Sequence, residues 1–246
     1  MMSLVNALPG AVAQGLIWGI MAIGVYLTFR ILDIADLTVD GSLGTGGAVC
    51  IMLMLSGQNV WVSMAGATAA GMAAGLATGI LHTFMGIPAI LAGILTQLGL
   101  YSINLKTMGK ANQAINVDKF DLLVSLRFIR KVPFYKNTIL IVAIAIIILI
   151  AILYWFFGTE LGCSLRATGC NDKMARAQGI NTDLSRVLGL MISNGLVALS
   201  GAMLCQYQGF ADINMGRGAI VIGLAAVIIG QAIFGKIFRN FGLKLL

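Results

Sequence analysis

Seven stretches of the chain stay apolar for long enough to cross a bilayer: Ala11–Phe29, Leu37–Leu55, Trp61–Leu81, Ile87–Leu105, Thr138–Phe157, Val187–Tyr207 and Ala219–Phe234. A hydrocarbon core about 30 Å thick takes roughly 20 helical residues to span. Within lipid, every backbone N–H and C=O must find its partner inside its own segment, so such runs predict helices. They are too long and too continuous for the alternating strands of a membrane barrel. The polar residues between them fall into connections rather than onto one face of each run. The pattern therefore predicts an all-α, polytopic membrane helix bundle of about seven spans, forming one transmembrane domain over residues 1–246.

Composition agrees with the pattern. Of 246 residues, 59% are hydrophobic and 10% charged, against the roughly 25% charged residues of a soluble domain. No charged side chain occurs from Met1 to Phe29, and between Val49 and Gly109 only His82 and Lys106 can carry charge. The first run lacks the basic flank of a cleaved signal, so it is expected to stay in the mature protein. The net charge of +7 fits loops lying beside anionic lipid headgroups. Basic residues interleaved with aromatics on a soluble face are missing, which argues against nucleic acid as a partner. Charge bias gives no orientation. Eight Lys and Arg fall on one side of a seven-span topology (Arg30, Arg166, Lys173, Arg176, Arg186, Lys236, Arg239, Lys244) and eight on the other.

Two polar segments interrupt the apolar pattern. The second span opens on Asp36-Leu-Thr38-Val-Asp40-Gly-Ser42-Leu-Gly-Thr45-Gly46-Gly47. An Asp at a lipid-facing helix centre costs about 2.5–3.5 kcal/mol. The segment is thus either broken or protein-buried beside a polar pathway, or one of its acids caps the following helix. The second is the connection 158–186. There Asn171 suits an N-cap, Asp172 the first turn and Gly179 a left-handed C-terminal position, giving a short helix over Asn171–Gln178 outside the bilayer. The longest connection, 106–137, mixes lysines and arginines with Phe120, Leu123, Leu126 and Phe128, as an amphipathic surface segment would. Small residues (Gly66, Ala70, Gly71, Ala74, Gly75, Gly79) recur at three- and four-residue spacing in the third span, which predicts close helix packing.

Catalytic and cofactor chemistry is not encoded in any recognisable pattern. Gly230-Gln-Ala-Ile-Phe-Gly235-Lys236-Ile237 nearly spells a phosphate-binding loop, but Ile237 replaces the hydroxyl that would hold magnesium, and a membrane span precedes it. His82, the single histidine, has no carboxylate or thiol beside it in sequence. Cys50, Cys163, Cys170 and Cys205 form no metal-ligand spacing. No catalytic residue, metal site or cofactor is therefore expected. Asp212, Asn214 and Arg217, flanked by Gly209, Gly216 and Gly218, read as a re-entrant turn or polar mouth.

The run Arg166-Ala-Thr-Gly-Cys-Asn171-Asp-Lys-Met174-Ala175-Arg176-Ala-Gln-Gly179-Ile-Asn181 resembles the cytoplasmic coupling segment of ABC importer permeases in the branched-chain amino acid and ribose permease superfamily. Phe29-Arg-Ile-Leu-Asp33-Ile-Ala-Asp36 through Ser42, and Gln206-Tyr-Gln-Gly209-Phe-Ala-Asp212-Ile-Asn214-Met-Gly216, look like the branch served by a tryptophan/tyrosine-type binding lipoprotein. The resemblance covers nearly the whole chain. It implies a homodimer of permeases, an ATP-binding cassette ATPase subunit on a separate chain, and an extracellular substrate-binding lipoprotein. It also implies a bacterial plasma-membrane location, with 158–186 cytoplasmic and 106–137 and the N-terminus outside. The coupling residues would be Arg166, Asn171, Met174, Ala175, Arg176, Gly179 and Asn181. Thr38, Asp40, Ser42, Thr45, Gln97, Asn194 and Asn214 are the candidates to line the path of a small organic solute, such as an aromatic amino acid. Family members continue past the Gly-Lys-x-Phe segment with another span, so an ending at Leu246 implies a truncated or short form of an eight-span core. The competing class is an ATP-independent channel or secondary transporter, which would call for ionisable relays or inverted repeats.

Overall fold

The computed structural model describes residues 2–115, 122–124 and 138–240, with side chains over 8–115, 122–124 and 138–233. Helix α1 (Met2–Tyr26) runs on through a π-helical turn, Leu27–Ile31, and is followed by α2 (Thr38–Leu55), α3 (Val60–Thr83) and α4 (Ala89–Met108). A short strand β1 (Asn112–Ala114) precedes α5 (Thr138–Phe157), α6 (Glu160–Cys170), α7 (Asp172–Ala177) and α8 (Thr182–Gln208). Strand β2 (Phe210–Asp212) and helix α9 (Ala219–Asn240) complete the described chain. Among the described residues six helices are long and apolar enough to span a membrane, and α9 adds a shorter apolar stretch, Ala219–Ile233.

The most apolar span is the least buried. That span, α5, has a mean hydropathy of 3.2 and only 11% of it is buried, whereas α8, at 1.8, is 72% buried. Lipid tails are as apolar as leucine, so an all-apolar helix gains nothing by moving inward, while polar side chains must face protein. Helix α8 is therefore the central post. Ser193, Ser200 and Tyr207, seven residues apart on one face, donate hydrogen bonds to the α1 carbonyls of Gly24, Ile17 and Gly10 at 2.7, 2.8 and 2.9 Å. On another face α8 meets α3 along the small-residue stripe. A Cβ at Gly75 would collide with the Leu190 carbonyl, one at Gly71 with Ala198, and one at Gly79 would lie 3.1 Å from Val187 Cα.

The two ends of the bundle are finished differently. At one end, β1 pairs antiparallel with β2, Asn112 opposite Asp212 and Ala114 opposite Phe210. Leu122 and Val124 are buried in the core clusters near this end, while Phe120, Leu126 and Phe128, assigned to an amphipathic segment, lie outside the described residues. At the other end the connections 32–37, 84–88 and 158–181 gather, with the His82 ring bonded to the Ile87 carbonyl oxygen at 2.9 Å. Gly235 and Lys236 lie within helical backbone in α9, so the loop needed to cradle a phosphate is not formed there. Helix α8 starts at Thr182 rather than Val187, because Asn181 caps it by accepting from Leu184 N at 3.1 Å.

Gly75→Ala should lower the unfolding free energy in detergent by about 1–3 kcal/mol, the cost of overpacking a tight helix contact. Gly15→Ala, whose Cβ meets nothing within 4 Å, should leave it unchanged or slightly raised. Equal melting shifts for the two variants would contradict the close α3–α8 approach.

Candidate functional site

The connection between α1 and α2 is not helical. Asp33 takes a left-handed backbone, φ 56°, and the chain has no regular structure through Asp36 before a turn at Leu37 leads into α2. Asp36 is buried here, 2% exposed. Its Oδ1 accepts from Thr38 N at 2.9 Å, which caps α2, and its Oδ2 accepts from Asn194 Nδ2 at 2.7 Å. Asn194 Oδ1 in turn accepts from Ser42 Oγ at 2.6 Å. One carboxamide on α8 thus joins the capping acid to the helix it caps. Beside this junction, the hydroxyls of Thr38, Thr78 and Thr96 bond in series at 2.7 and 2.9 Å, linking α2, α3 and α4. Both readings of the polar segment hold for Asp36: it is a cap, and it is buried in protein.

Asp40 does something else. Its Oδ2 accepts from Gly218 N and its Oδ1 from Ile220 N, both at 2.9 Å, so it caps the far-off helix α9. To reach it, the segment after β2 turns back along α2. Met215 Sδ comes within 2.7 Å of the Cβ position of Gly47, and Gly216 packs on the Asp40 carbonyl. Asp40 lies 15 residues before Leu55, the last residue of α2, which is about 22 Å along a helix. Helix α9 therefore begins part-way through the bundle, and the segment 213–218 is re-entrant.

The candidate path residues consequently separate. Thr38, Ser42, Thr45 and Asn194 are buried in the interior, where Thr38 bonds to Thr78, Ser42 to Asn194, Asn194 also to Asp36, and Thr45 to the Gly41 carbonyl. Asp40 and Gln97 instead line a cleft of about 280 Å³ together with Gly41, Leu98, Tyr101, Asn104, Ile213 and Arg217. Asn214 is exposed near it, its N–H bonded to Asp212 Oδ1 at 2.7 Å. Tyr101, Asn104 and Arg217 were not singled out from the sequence for this path. The signal was present in α4, because positions 97, 101 and 104 recur on one helical face.

The second cluster is at the end where 158–181 lies. Asn171 Oδ1 accepts from Met174 N at 3.1 Å and caps α7, and Gly179 ends the turn at φ 84°. Ala175 is buried beneath the helix while Met174 is 53% exposed. Arg176 reaches back to α8, donating to Thr182 Oγ1 at 2.7 Å and pairing with Asp183 at 2.8 Å. Arg186 of α8 pairs with Asp172 of α7 at 3.3 Å. Partial burial would raise the Asp172 carboxyl, but the Thr182 hydroxyl and the Arg186 and Arg176 charges outweigh it and hold the group below the usual carboxylate range. Arg166 lies apart from this cluster and donates to the Phe157 carbonyl at 3.1 Å. Among the described residues no group of His, Cys, Asp or Glu is arranged to hold a metal.

Spans, buried polar junction, re-entrant segment and capped external helix together describe a membrane translocation protein, and sequence comparison supplies its kind. Residues 8–242 match the family described as the permease component of branched-chain amino acid transport systems. The chain belongs to that family. The permease is 40% identical over 232 residues to a tyrosine transport system permease protein of Clostridioides difficile, covering 94% of this chain and 75% of that one. It is 38% identical over 238 residues to an uncharacterised protein of Rickettsia prowazekii, covering 96% and 81%. An autoinducer 2 import system permease protein of Yersinia pestis is 31% identical over 214 residues, 86% of this chain and 58% of its own length. No solved structure matches. The permease is thus a transport subunit and a multi-pass protein of a bacterial inner membrane.

Asn194→Ala should lower stability in detergent by about 1–3 kcal/mol, since it leaves the buried Asp36 Oδ2 without its donor and Ser42 Oγ without its acceptor. In the double variant with Asp36→Ala the losses should fall short of their sum, as coupled neighbours do. Strict additivity in thermal unfolding would contradict the junction.

Proposed function

We propose that this permease works as a homodimer in an ATP-driven importer. An ATP-binding cassette subunit on another chain docks at the α7 end, and an extracellular binding lipoprotein delivers the solute at the β1–β2 end. The solute class is a small amino acid with an aromatic side chain, in line with the tyrosine transport named for the 40% identical relative. In this arrangement the 158–181 end is cytoplasmic and the strand pair faces outside.

The observation that carries this reading is the way α7 is presented. Six residues long, it is too short to be stable alone, yet it is capped by Asn171, closed by Gly179 and fastened to α8 by Arg176 and Arg186. Its lower side packs through Ala175, which leaves Met174 and the exposed Lys173 and Ala177 outward. A partner groove that grips Met174 moves α7, and the ion pairs carry that movement to the first turn of α8. Helix α8 holds Asn194, hence the Asp36 cap and the start of α2. Force applied outside the bilayer therefore reaches the polar interior along one continuous helix. Asn181 serves this surface as the cap of α8, while Arg166 lies apart from it and holds the Phe157 carbonyl.

The test is reconstitution of the complex with ATPase subunit and binding protein. Arg176→Ala combined with Gly179→Ala should cut uptake about tenfold or more while ATP hydrolysis continues, because losing these charged hydrogen bonds and forcing a side chain into left-handed backbone unfastens α7. Stimulation of hydrolysis by loaded binding protein should disappear. Stimulation at the wild-type level in this variant would sink the coupling assignment.

A further inference from the structure

The cleft between α2, α4 and the re-entrant segment holds one acid, one base, two carboxamides and an aromatic ring. The two backbone N–H groups that cap α9 take up two of the acceptor positions of Asp40, and a carboxylate offers about four. Capacity therefore remains on the side that lines the cleft. Arg217 lies over the Tyr101 ring, 5.9 Å from its centroid, at the outer limit of a cation–π contact. Among the described residues it makes no ion pair. Nor do the carboxamides of Gln97 and Asn104 make a hydrogen bond there. Leu98, Ile213 and Tyr101 provide apolar wall.

Arg217 is exposed to the cleft, so its guanidinium is open to a solute there, and charges along a membrane path of this kind mark transport sites. A lone anion would meet Asp40 and a lone cation would meet Arg217. A ligand carrying both charges on one carbon satisfies each end at once and enters with no net charge, which is the cheapest way to bring ionised groups into a low-dielectric interior. The geometry points to this cleft as a transit site for a zwitterionic α-amino acid. Arg217 takes the carboxylate, Asp40 the ammonium, Gln97 and Asn104 orient the pair, and the side chain rests on Leu98, Tyr101 and Ile213. This rests on the reading of the permease as part of an amino-acid importer and adds where, and by which groups, the solute is recognised inside the membrane.

Uptake of radiolabelled L-tyrosine into proteoliposomes holding the whole complex, driven by saturating loaded binding protein, tests it. Arg217→Gln should lose about tenfold or more in uptake, the loss expected for a charge-assisted contact. Arg217→Lys should recover most of it. Each variant should co-purify with the ATPase subunit and melt with the wild type, so that a simple packing role would not give this pattern. If Arg217→Gln fails to assemble, Gln97→Leu, on a partly exposed position, should still reduce uptake several-fold. Wild-type uptake in Arg217→Gln, or in Gln97→Leu, overturns the transit site while leaving the importer intact. A wild-type complex that carries only uncharged solutes and no amino acid overturns both.

Discussion

A single carboxamide holds this bundle in register. Asn194 donates to Asp36 and accepts from Ser42, so α8 reads the position of the acid that starts α2 and of the helix that follows it. In lipid a buried Asp without donors would be expensive, and a helix starting inside a protein without a cap would leave several N–H groups unsatisfied. Each problem solves the other. The irregular stretch 32–37 can enter the bundle only because Asp36 ends it in a cap, and Asp36 can be buried only because α8 supplies a second donor. The same device recurs at Asp40, which caps α9 where it begins part-way through the bundle. Two acids that look prohibitive for a membrane span are thus the points at which irregular chain is allowed inside.

Around that junction the helices are held by two kinds of contact. Helix α3 approaches α8 through glycines, and α1 accepts hydrogen bonds from serines and a tyrosine on α8. The α1–α8 contact also buries apolar side chains, with Ile17, Ile20, Met21 and Val25 in one cluster with Val197, Met203 and Leu204; elsewhere lipid competes equally for apolar side chains. There the apolar surface is turned outward, most of all on α5. The outcome is a rigid post, α8, continuous from the capped helix α7 outside the bilayer to the polar junction within.

How far the sequence reaches depends on the range of the chemistry. The helix at 172–177 was legible to within a residue because its cap, first turn and terminating glycine are all local. The spans were legible because apolar length is local too, although α8 starts five residues before its apolar run, where Asn181 takes over from hydropathy. Asp36 could be seen as either cap or buried polar group, and the structure makes it both. Asp40 could not be read, since its partners lie 178 and 180 residues away. The strands Asn112–Ala114 and Phe210–Asp212 are three residues each, too short for any pattern of alternation to show. Thr38, Ser42, Thr45 and Asn194 drew attention by being polar in apolar spans, but polarity alone does not separate a buried hydrogen-bond junction from the wall of a cleft. Only the spacing of Gln97, Tyr101 and Asn104 on one face of α4 carried that second message.

The proposed transmission of force requires α7 and α8 to move as one body. With exposed Cys163 and Cys170 replaced by Ser, spin labels at Met174 of α7 and Leu184 of α8, both exposed, report their separation by pulsed electron resonance. A second pair, at Met174 and Trp155 of α5, reports α7 against the lipid-facing periphery. In the reconstituted complex the first distance should stay fixed between nucleotide-free and ATP-trapped states while the second changes. A first distance that shifts while the second holds would show that α7 swings free of α8, and would contradict the transmission of force to the Asn194 junction.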